Sequence, residues 1–447
     1  MSRTCNSEGG RKNTMMRSMF SGVSGLRAHQ TRMDVIGNNV ANVNTVGFKS
    51  GRVTFQEIFS QTLKGASAPD AATGRGGTNP MQIGLGLGVG AVDTITTRGS
   101  LQRTDNPTDM SIEGDGFFIC KGGATDTFRF TRAGNFGIDK LGNLVTGSGL
   151  NVYGWQALKT DGSGEFDTEK PIEPINLYTD AYRNKRIISA KATSRAQLSG
   201  NLDAAMPLVD ESDDPQAEQM FSVPMTVYDR LGNDYKVDVL FWKVNADADG
   251  STWRWEIPST GSGYTSGTIR FDAEGIIDSE SIQDQPPVVF EPDPSTGTGE
   301  FEVVFDFSKI TSFASDNSVK PQSVDGYPSG SLVSFSVGSD GILTGIYDNG
   351  QQQSLGLIAI SGFENPAGLQ KVGDNMYIPT TNSGEYKAVK PGTGGTGTLN
   401  PGTLEMSNVD LSKEFTEMII TQRGFQANSR IITTSDEMLQ ELVSLKR

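Results

Sequence analysis

Apolar positions near the N-terminus recur with the period of a helix. Most steps are of three or four residues, with a gap at Gln30. The positions are Met19, Val23, Leu26, Met33, Ile36, Val40 and Val43. Gly47 then occupies the place at which a helix commonly takes a left-handed cap. Because no proline precedes Pro69, the pattern predicts a helix at this end of the chain.

A second apolar stripe at the C-terminus is more regular, with a repeat of seven residues. Its members are Leu411, Met418, Phe425, Ile432 and Leu439, with Phe415 and Val443 on the intervening seam. Ser407 and Asp410 form the S-x-x-D pattern of a helix start. At ~1.5 Å per residue, a helix over residues 408–445 would be a rod of roughly 55 Å. We expect the two terminal helices to pair as a coiled coil.

Short β-prone runs alternate with turn signals between Val92 and Ile346, and again from Leu355 to Tyr386. Examples are FRFTRAGNFGI, YKVDVLFWKV and FEVVFDF. The string D-x-L-G-N occurs at 139–143 and at 229–233, each time between apolar runs. Glycine there supplies a positive φ, so both strings predict hairpin tips. The alternating GLGLGVG run of residues 84–90 predicts an extended or flexible connector.

These patterns predict a mainly β fold with terminal α-helices and discontinuous, layered domains. Composition shifts near Asp161 and Gly326 suggest the limits of an inserted domain. The predicted segments are a disordered extension or mis-assigned start (1–14), a terminal helical assembly domain (15–47 plus 404–447), a connector (48–91 plus 391–403), an inner β domain (92–164 plus 327–390) and an outer inserted β domain (165–326).

Composition narrows the classes of function. A net charge of −15 argues against a protein that wraps nucleic acid, which needs clustered Lys and Arg. His29 is the only histidine, and Cys5 and Cys120 are the only cysteines. Most zinc sites, Ser-His-Asp triads and disulfide frameworks are therefore excluded. We expect no catalytic residue and no cofactor.

Three local features nevertheless invite a chemical interpretation. Asn245, Asp247, Asp249 and Glu256 have the spacing of a calcium loop, but their flanks read as strands, which favours an acidic hairpin tip. Trp242, Trp253 and Trp255 surround the same hairpin and fit either core packing or a sugar-binding platform. The Gly84–Gly90 run lacks the spacing of a phosphate loop.

The terminal stripes are the remaining signal, and they could join helices within one molecule or between many. A lone helix pair would leave Phe20, Ile36, Met438 and Leu442 off its main seam. Burying each large apolar side chain is worth roughly 1.5–3 kcal/mol, so neighbouring copies should be recruited to cover them. Head-to-tail contacts of this kind produce an open filament.

Long motifs at both ends resemble the paired signatures of bacterial flagellar rod and hook proteins. The N-terminal motifs are MFSGVSGL (19–26) and DVIGNNVANVNTVGFKS (34–50), and the C-terminal motif is SNVDLSKEFTEMIITQRGFQANSRIITTSDEML (407–439). Within this family, the segment 325–369 and the insert before it resemble a hook subunit more than a distal rod subunit, which remains the alternative. A secreted carbohydrate-binding β protein is the alternative from another class.

The resemblance implies a structural subunit that polymerises with itself into a curved, flexible tube at the cell exterior. It further implies export through the flagellar type III apparatus without a cleaved signal, consistent with a hydrophilic N-terminus. The partners it implies are the distal rod protein, the hook cap protein, the hook–filament junction protein and the export apparatus. No run approaches the ~20 apolar residues that membrane insertion requires.

Overall fold

The computed structural model describes residues 7–69, 74, 76–122, 127–160, 164–179, 183–209, 219–259, 263–278, 281–282, 285–292, 295 and 297–444. Within them the chain divides into two compact units. Unit 1 comprises Met1–Leu177, Ser336–Leu343 and Ser354–Arg447, and unit 2 comprises Tyr178–Phe335 and Thr344–Gln353. No helix in the described part is long and apolar enough to cross a membrane.

Long helices occupy both ends of the chain, as the apolar periods predict. Helix α1 is Ser7–Ala41 and helix α2 is Leu411–Ser444. Asp410 caps α2, because its Oδ1 accepts hydrogen bonds from the amides of Ser412 at 2.9 Å and Lys413 at 3.3 Å. Gly47 has the predicted left-handed backbone, with φ of +68°.

The first helix starts earlier than the sequence suggests. Residues 7–14 are helical, whereas we expected the stretch up to Thr14 to lie outside any folded element. The α1 segment contains few large apolar residues before Met15, so the apolar period gave no signal there. Residues 1–6 lie outside the described residues.

The remainder of unit 1 consists of short strands. Strands β1 to β12 are Gly51–Glu57, Ser60–Lys64, Met81–Gly84, Leu87–Thr94, Leu101–Arg103, Met110–Glu113, Phe117–Lys121, Phe128–Thr131, Phe136–Ile138, Leu144–Thr146, Asn151–Trp155 and Glu173–Pro174. After unit 2, strands β25 to β30 are Ile360–Gly362, Gln370–Gly373, Met376–Ile378, Lys387–Val389, Thr398–Pro401 and Thr403–Glu405, with a 3-10 turn at Pro366–Gly368.

Pairing in unit 1 joins distant parts of the chain. The main antiparallel path runs β11-β7-β8-β27-β26, and its core includes Phe117, Phe130 and Trp155. Strands β29 and β30 pair with β6 and β5 in registers that include Leu399↔Ile112 and Leu404↔Gln102. The segment leading into α2 is therefore bound to strands that lie some 300 residues earlier.

The predicted connector is more ordered than its composition implies. Strand β1 pairs antiparallel with β4, and β2 pairs with β3. The Gly84–Gly90 run thus lies in and between strands, and is no irregular linker. Glycine has a low intrinsic preference for β-strands. Here the hydrogen bonds to β1 and the contact with α1 override that low preference.

Unit 2 is a two-sheet sandwich with its own core. Strands β13 to β21 are Ile187–Ile188, Arg195–Asn201, Phe221–Tyr228, Asp234–Asp247, Gly250–Ser259, Gly263–Asp272, Val288–Phe290, Phe301–Thr311 and Lys320–Val324. One sheet has the order β19-β20-β14-β21 and the other β15-β16-β17-β18. Strands β22 to β24, which are Gly330–Val337, Ile342–Tyr347 and Gln352–Ile358, are divided between the units.

Alternating burial explains the sandwich. Strand β20 buries Phe301, Val303, Phe305 and Phe307, while Glu302 and Val304 between them are exposed. The ring of Phe307 meets those of Phe241 and Trp255 from the other sheet at centroid distances of 5.9 and 5.2 Å. The inner faces of the two sheets therefore form one core.

Both D-x-L-G-N strings are hairpin tips of the same geometry. The Asp139 carboxylate accepts hydrogen bonds from the amides of Leu141 and Asn143 and from the Asn143 side chain at 2.7–2.9 Å. Asp229 does the same with Leu231 and Asn233. Their glycines have φ of +93° and +90°, which confirms the predicted turns.

Candidate assembly interface

Helices α1 and α2 pack against each other in antiparallel orientation. Ser18 Oγ lies 3.5 Å from Ser435 Oγ, and Arg32 Nη2 lies 3.0 Å from Glu417 Oε2. As residue numbers rise along α1, those of the residues opposite fall along α2. We call the line of contact between the two helices the seam.

Small residues line the seam and allow the helices to approach closely. A Cβ atom at Gly25 would lie 2.8 Å from Asn428 Nδ2, and one at Gly22 would lie 3.2 Å from Ile432 Cγ1. On the other helix, a Cβ at Gly424 would lie 2.8 Å from the His29 ring. Larger side chains at these positions would push the helices apart.

His29 fills the space opposite Gly424. Its ring meets Phe55 of β1 edge-on at 5.6 Å, and its Nδ1 is buried without a hydrogen-bond partner among the described residues. Burial, together with the nearby charge of Arg32, lowers the pKa of the imidazole. The side chain therefore packs as a neutral group at neutral pH.

The β1–β4 pair covers a second face of α1. The Leu87 amide donates to Ser24 Oγ at 3.3 Å, and Gly86 has a φ of +126° where a Cβ would strike that hydroxyl. Asn39 bonds the Gly51 amide and carbonyl, each at 2.9 Å. The side chain of Asn39 thus ties the helix to the first strand.

A buried ion cluster joins the segments that lead out of α1 and into α2. Glu405 Oε1 lies 2.6 Å from Lys49 Nζ, and Glu405 Oε2 lies 3.3 Å from Arg132 Nη1. All three side chains are at least 96% buried. Lys49 also donates to the Thr97 carbonyl, and Arg132 Nη2 to the Gly114 carbonyl. Glu405, in the segment before α2, therefore links Lys49, in the segment after α1, to Arg132 of the β domain.

Burial changes the pKa values of the residues in this cluster. It lowers the pKa of the Lys49 ammonium and of the Arg132 guanidinium, although Glu405 opposes the change in both. Burial also raises the pKa of the neighbouring Tyr377 to about 12. The Glu405 carboxylate is the direct ion-pair partner of both cations, and Asp115 adds a weaker attraction to each, so removal of the Glu405 charge would leave two buried cations without a direct partner.

Most of the predicted N-terminal stripe is half-buried in the single chain. This group comprises Met19, Val23, Leu26, Met33, Val40 and Val43. Ile36 is buried, with only 2% of its surface exposed. The expectation that Ile36 would lie uncovered beside the seam is therefore wrong, whereas Phe20 and Met438 are exposed as expected. The Leu442 side chain lies outside the described residues.

The C-terminal stripe is divided in the structure. Met418, Ile432 and Leu439 are half-buried, but Leu411, Phe415, Phe425 and Val443 are exposed. Ile419, Ile420 and Ile431, which fall outside the heptad stripe, are exposed as well. The structure therefore brings only part of the stripe against α1.

The seam itself uses residues that the apolar period does not select. On α2 the buried positions are Glu414, Thr421 and Ser435, and Gly424 and Asn428 complete the line. Burial raises the pKa of the Glu414 carboxyl. The nearby polar or small positions Gln30, Gly37, Gln422 and Asp436 are exposed, and Ser429 is half-buried. A search for small residues at helical spacing would have identified Gly22, Gly25 and Ala28.

The calcium-loop residues do not converge. Asn245, Asp247 and Asp249 lie at the tip of the β16–β17 hairpin, where Asn245 Nδ2 donates to Asp247 Oδ2 at 2.8 Å. Asn245 lies opposite Thr252 on the neighbouring strand, whereas Glu256 lies opposite Leu240. Glu256 is therefore four residues along the strand from the position that faces Asn245. That separation is about 13 Å. No group of three or more metal-ligating side chains occurs among the described residues.

The tryptophans and the described cysteine are core residues. Trp253 and Trp255 are fully buried in unit 2, and Trp242 is 7% exposed. They therefore form no surface platform for sugars. Cys120 is buried in β7, and burial raises the pKa of its thiol to about 12.

Four family models match successive parts of the chain. Residues 19–49 match the model described as flagella basal body rod protein, and 400–445 match the flagellar basal body rod FlgEFG protein C-terminal model. Residues 111–183 match the flagellar hook protein FlgE/F/G D1 domain, and 199–327 match the flagellar basal body protein FlaE D2 domain. The first of these models covers α1 from residue 19 onward, and the second covers all of α2.

Curated relatives match over nearly the full length. The flagellar hook protein FlgE of Borreliella burgdorferi is 41% identical over 97% of this chain and 100% of its own length. FlgE of Treponema pallidum is 38% identical, and the basal-body rod protein FlgG of Bacillus subtilis is 34% identical, each with the same coverage. The solved Helicobacter pylori hook protein FlgE2 covers 68% of this chain and all of its own, with a TM-score of 0.47 at 14% identity. The chain belongs to the flagellar hook protein family.

Proposed function

We propose that the chain is the repeating subunit of a flagellar hook and that it polymerises through its terminal helices. The polymer is a curved, flexible tube that transmits torque from the motor and rod to the filament. The hook-protein relatives support a structural role of this kind. The segments 15–47 and 404–447 act as its assembly domain.

The uncovered apolar surface of α2 is the observation that carries this proposal. Phe415, Ile419 and Ile420 are 50%, 59% and 58% exposed, although the helix already has one partner. Covering the exposed half of each would contribute about 1 kcal/mol. Association costs ~4–15 kcal/mol in lost freedom, so stable assembly requires several such contacts for each copy. A helical polymer supplies neighbours on more than one side.

The assembly residues proposed are those of the two terminal stripes, together with the exposed residues of α2. Met19, Val23, Leu26 and Met33 are already half-buried in one chain and retain surface for a neighbour. Ile36 acts within the subunit. We propose further that the 92–164 and 327–390 segments form an inner β domain outside the helical tube, with the 165–326 insert outermost.

The partners at the two ends of the polymer follow from the family resemblance. We infer that the distal rod protein receives the first copies, that a cap protein directs addition, and that a junction protein follows the last. Export through the flagellar type III apparatus without a cleaved signal places the chain outside the cell. A distal rod subunit is the alternative, in view of the 34% identical rod protein.

Electron microscopy of the concentrated full-length chain tests the proposal. Curved tubes support a hook subunit, straight rods favour the rod alternative, and a monomer at all concentrations contradicts both. Deletion of residues 411–447 should abolish assembly and leave the unit 2 sandwich folded, as reported by the fluorescence of its buried tryptophans. Polymerisation of the deleted chain would show that α2 is not the joint.

A further inference from the structure

A cavity of about 550 Å³ opens on the surface of unit 1. This volume falls in the range of ~300–1,000 Å³ that is typical of binding sites. Part of its lining is aromatic, because the rings of Phe117 and Phe363 meet edge-on at 5.8 Å, and Val389 lines it as well. The cavity therefore offers an apolar wall to an occupant.

Two carboxylates of the cavity have no ion-pair partner among the described residues. They belong to Asp115 and Glu385, and both side chains are exposed. A third carboxylate, that of Glu364, has only a loose partner in Lys387 at 3.9 Å, and these two side chains are 83% and 77% exposed. The cavity thus favours an occupant that combines a positive charge with an apolar group.

The lining also includes an unsatisfied hydrogen-bond donor. The side chain of Arg132 is only 4% exposed, and its Nε has no hydrogen-bond partner among the described residues. Buried donors are rarely left in this state. An occupant that brought an oxygen atom to this wall would satisfy the donor, which is a second reason to expect one.

The hairpin tip at 139–143, also in unit 1, has the complementary chemistry. Leu141 is 70% exposed, and Lys140 is exposed without an ion-pair partner in the described part of the chain. The Lys140 carbonyl accepts no hydrogen bond from the described residues. The Asp139 carboxylate holds the turn through the hydrogen bonds described above, so little further ordering is needed on binding.

We propose, on the basis of the hook-subunit function above, that the 139–143 tip of one copy enters this cavity of a neighbouring copy. Lys140 then faces Asp115 and Glu385, and Leu141 packs on the aromatic wall. Because the tip and the cavity are different patches of the surface, the contact is heterologous and can repeat from copy to copy, as a polymer requires.

The placement of both patches in unit 1 favours this tip over the similar one at 229–233. A repeated contact needs the same distance and direction between tip and cavity in every copy, and the single core of unit 1 fixes both. The second tip carries Arg230 and Leu231 and belongs to unit 2. It is the alternative occupant that the experiment must distinguish.

Carbodiimide cross-linking of the full-length chain tests the contact, because it joins an amine to a carboxylate only where the two already lie together. Unlabelled and isotope-labelled chains are mixed, polymerised and treated, and the joined peptides are identified by mass spectrometry. We expect Lys140 joined to Glu385 or Asp115 in peptide pairs of mixed label. Lys159 and Glu165, 2.8 Å apart within one chain, are the internal control and should join without mixing labels.

The other outcomes of this experiment are equally specific. Polymers in which the control link forms but Lys140 joins neither carboxylate would overturn the inference and leave the hook function standing. Links at Lys140 that never mix labels would place the contact within one copy and overturn it too. In an Arg230→Lys chain, links from position 230 instead of Lys140 would assign the cavity to the second tip. Failure of the wild type to polymerise would contradict the proposed function, and this contact with it.

Reversal of charge tests the same contact without cross-linking. Lys140→Glu should raise the concentration needed for polymerisation at least about tenfold, because it sets a further carboxylate against Asp115 and Glu385. Glu385→Lys added to the same chain should restore much of the loss, since it supplies a new partner. Lys236, an exposed lysine of unit 2, provides the matched control, and Lys236→Glu should change that concentration less than about twofold.

Near-ultraviolet circular dichroism of the buried aromatic rings shows whether each variant is folded. A folded Lys140→Glu chain that polymerises like the wild type would contradict the contact between tip and cavity. A double variant that polymerises no better than Lys140→Glu alone would contradict it as well.

Discussion

Lys49 and Arg132 share one buried carboxylate, that of Glu405. Replacing Glu405 with Gln keeps the shape of the side chain but leaves two buried cations without their direct ion-pair partner. We expect unfolding of unit 1 to become easier by roughly 3–5 kcal/mol. Urea denaturation followed by the fluorescence of Trp155 would measure the change.

Glu113→Gln is the matched control for this substitution. Glu113 pairs with Arg98 at 3.4 Å, but both side chains are about half-exposed. Surface pairs contribute roughly 0–1 kcal/mol, so the control should be nearly silent. Equal effects of the two substitutions would mean that the Glu405 ion pairs do not stabilise the segments next to α1 and α2 as we infer.

Asp325 makes unit 2 sensitive to acid. Its carboxylate is partly desolvated, which raises its pKa, but it accepts hydrogen bonds from the Ser194 and Arg195 amides at 2.8 and 2.9 Å. These bonds and those from the Ser194 hydroxyl and Lys191 prevail and lower the pKa to about 2. The folded value lies below the ordinary ~3.9, so the stabilisation is present above about pH 4 and is lost as the pH falls toward 2.

The Asp325→Asn variant should abolish this part of the pH dependence. Because the carboxylate is partly exposed, the loss should be on the order of 1 kcal/mol. The free energy of unfolding of unit 2, measured between pH 5 and pH 2, should fall less steeply in the variant than in the wild type. Parallel curves would show that another group governs the acid response.

Single residues also mark the limit of what the sequence predicts. Gly47 was predictable as a helix cap because helices commonly end in this way. Only the fold shows a second reason for glycine: a Cβ atom at this position would lie 2.6 Å from the Ala133 amide nitrogen. The two D-x-L-G-N turns were predictable because their hydrogen bonds are local. The Lys49–Glu405 pair, 356 residues apart in the chain, left no local signal.

At the scale of elements, close approach governs how α1 and α2 pair. Gly25→Leu should force the helices apart, because Asn428 already occupies the space next to Gly25. Gly37→Leu is the matched control, since nothing lies within 4 Å of a Cβ there. Leucine at that position should stabilise α1 by roughly 0.5–1 kcal/mol through helix propensity. Thermal melts followed by circular dichroism would compare the two variants.

The expected result is a lower helix-melting temperature for Gly25→Leu and an unchanged or higher one for Gly37→Leu. Polymerisation should follow the same order if the helix pair is the unit that assembles. A Gly25→Leu chain that melts and polymerises like the wild type would show that the seam does not determine assembly.

The existence of both helices was predictable, but their packing was not. Hydrophobic periodicity weights large apolar side chains, and it therefore selected Phe415, Phe425 and Val443, which are exposed in the single chain. Gly25, Gly424 and Thr421 form the seam because they are small, and a hydrophobicity pattern assigns them little weight. The glycine-rich run is extended in β4, one of the two conformations expected for it, but its pairing with β1 left no local signal because a distant segment supplies the hydrogen bonds.

At the scale of the whole molecule, each unit has its own hydrophobic core. Trp155 belongs to the core of unit 1, whereas Trp253 and Trp255 belong to that of unit 2. We expect urea to unfold the chain in two separable transitions. A Trp155→Phe variant would leave only the tryptophans of unit 2 to report, which allows the second transition to be assigned.

The two residue-scale substitutions provide the check on this assignment. Glu405→Gln should shift only the transition of unit 1, and Asp325→Asn at pH 7 only that of unit 2. A single transition displaced by either substitution would mean that the units unfold as one. The sandwich itself was predictable as β structure, but the parallel pairing of β14 with β20 joins segments about 100 residues apart, which no local pattern encodes.

The antiparallel course of α1 and α2 has an electrostatic consequence for any assembly of many copies. Each helix carries about half a positive charge at its N-terminus and half a negative charge at its C-terminus. In this pair the start of α1 lies beside the end of α2, so the opposing dipoles cancel within every subunit. In the proposed assembly, therefore, the helix dipoles of successive copies do not add up to a net axial dipole, however many copies stand side by side.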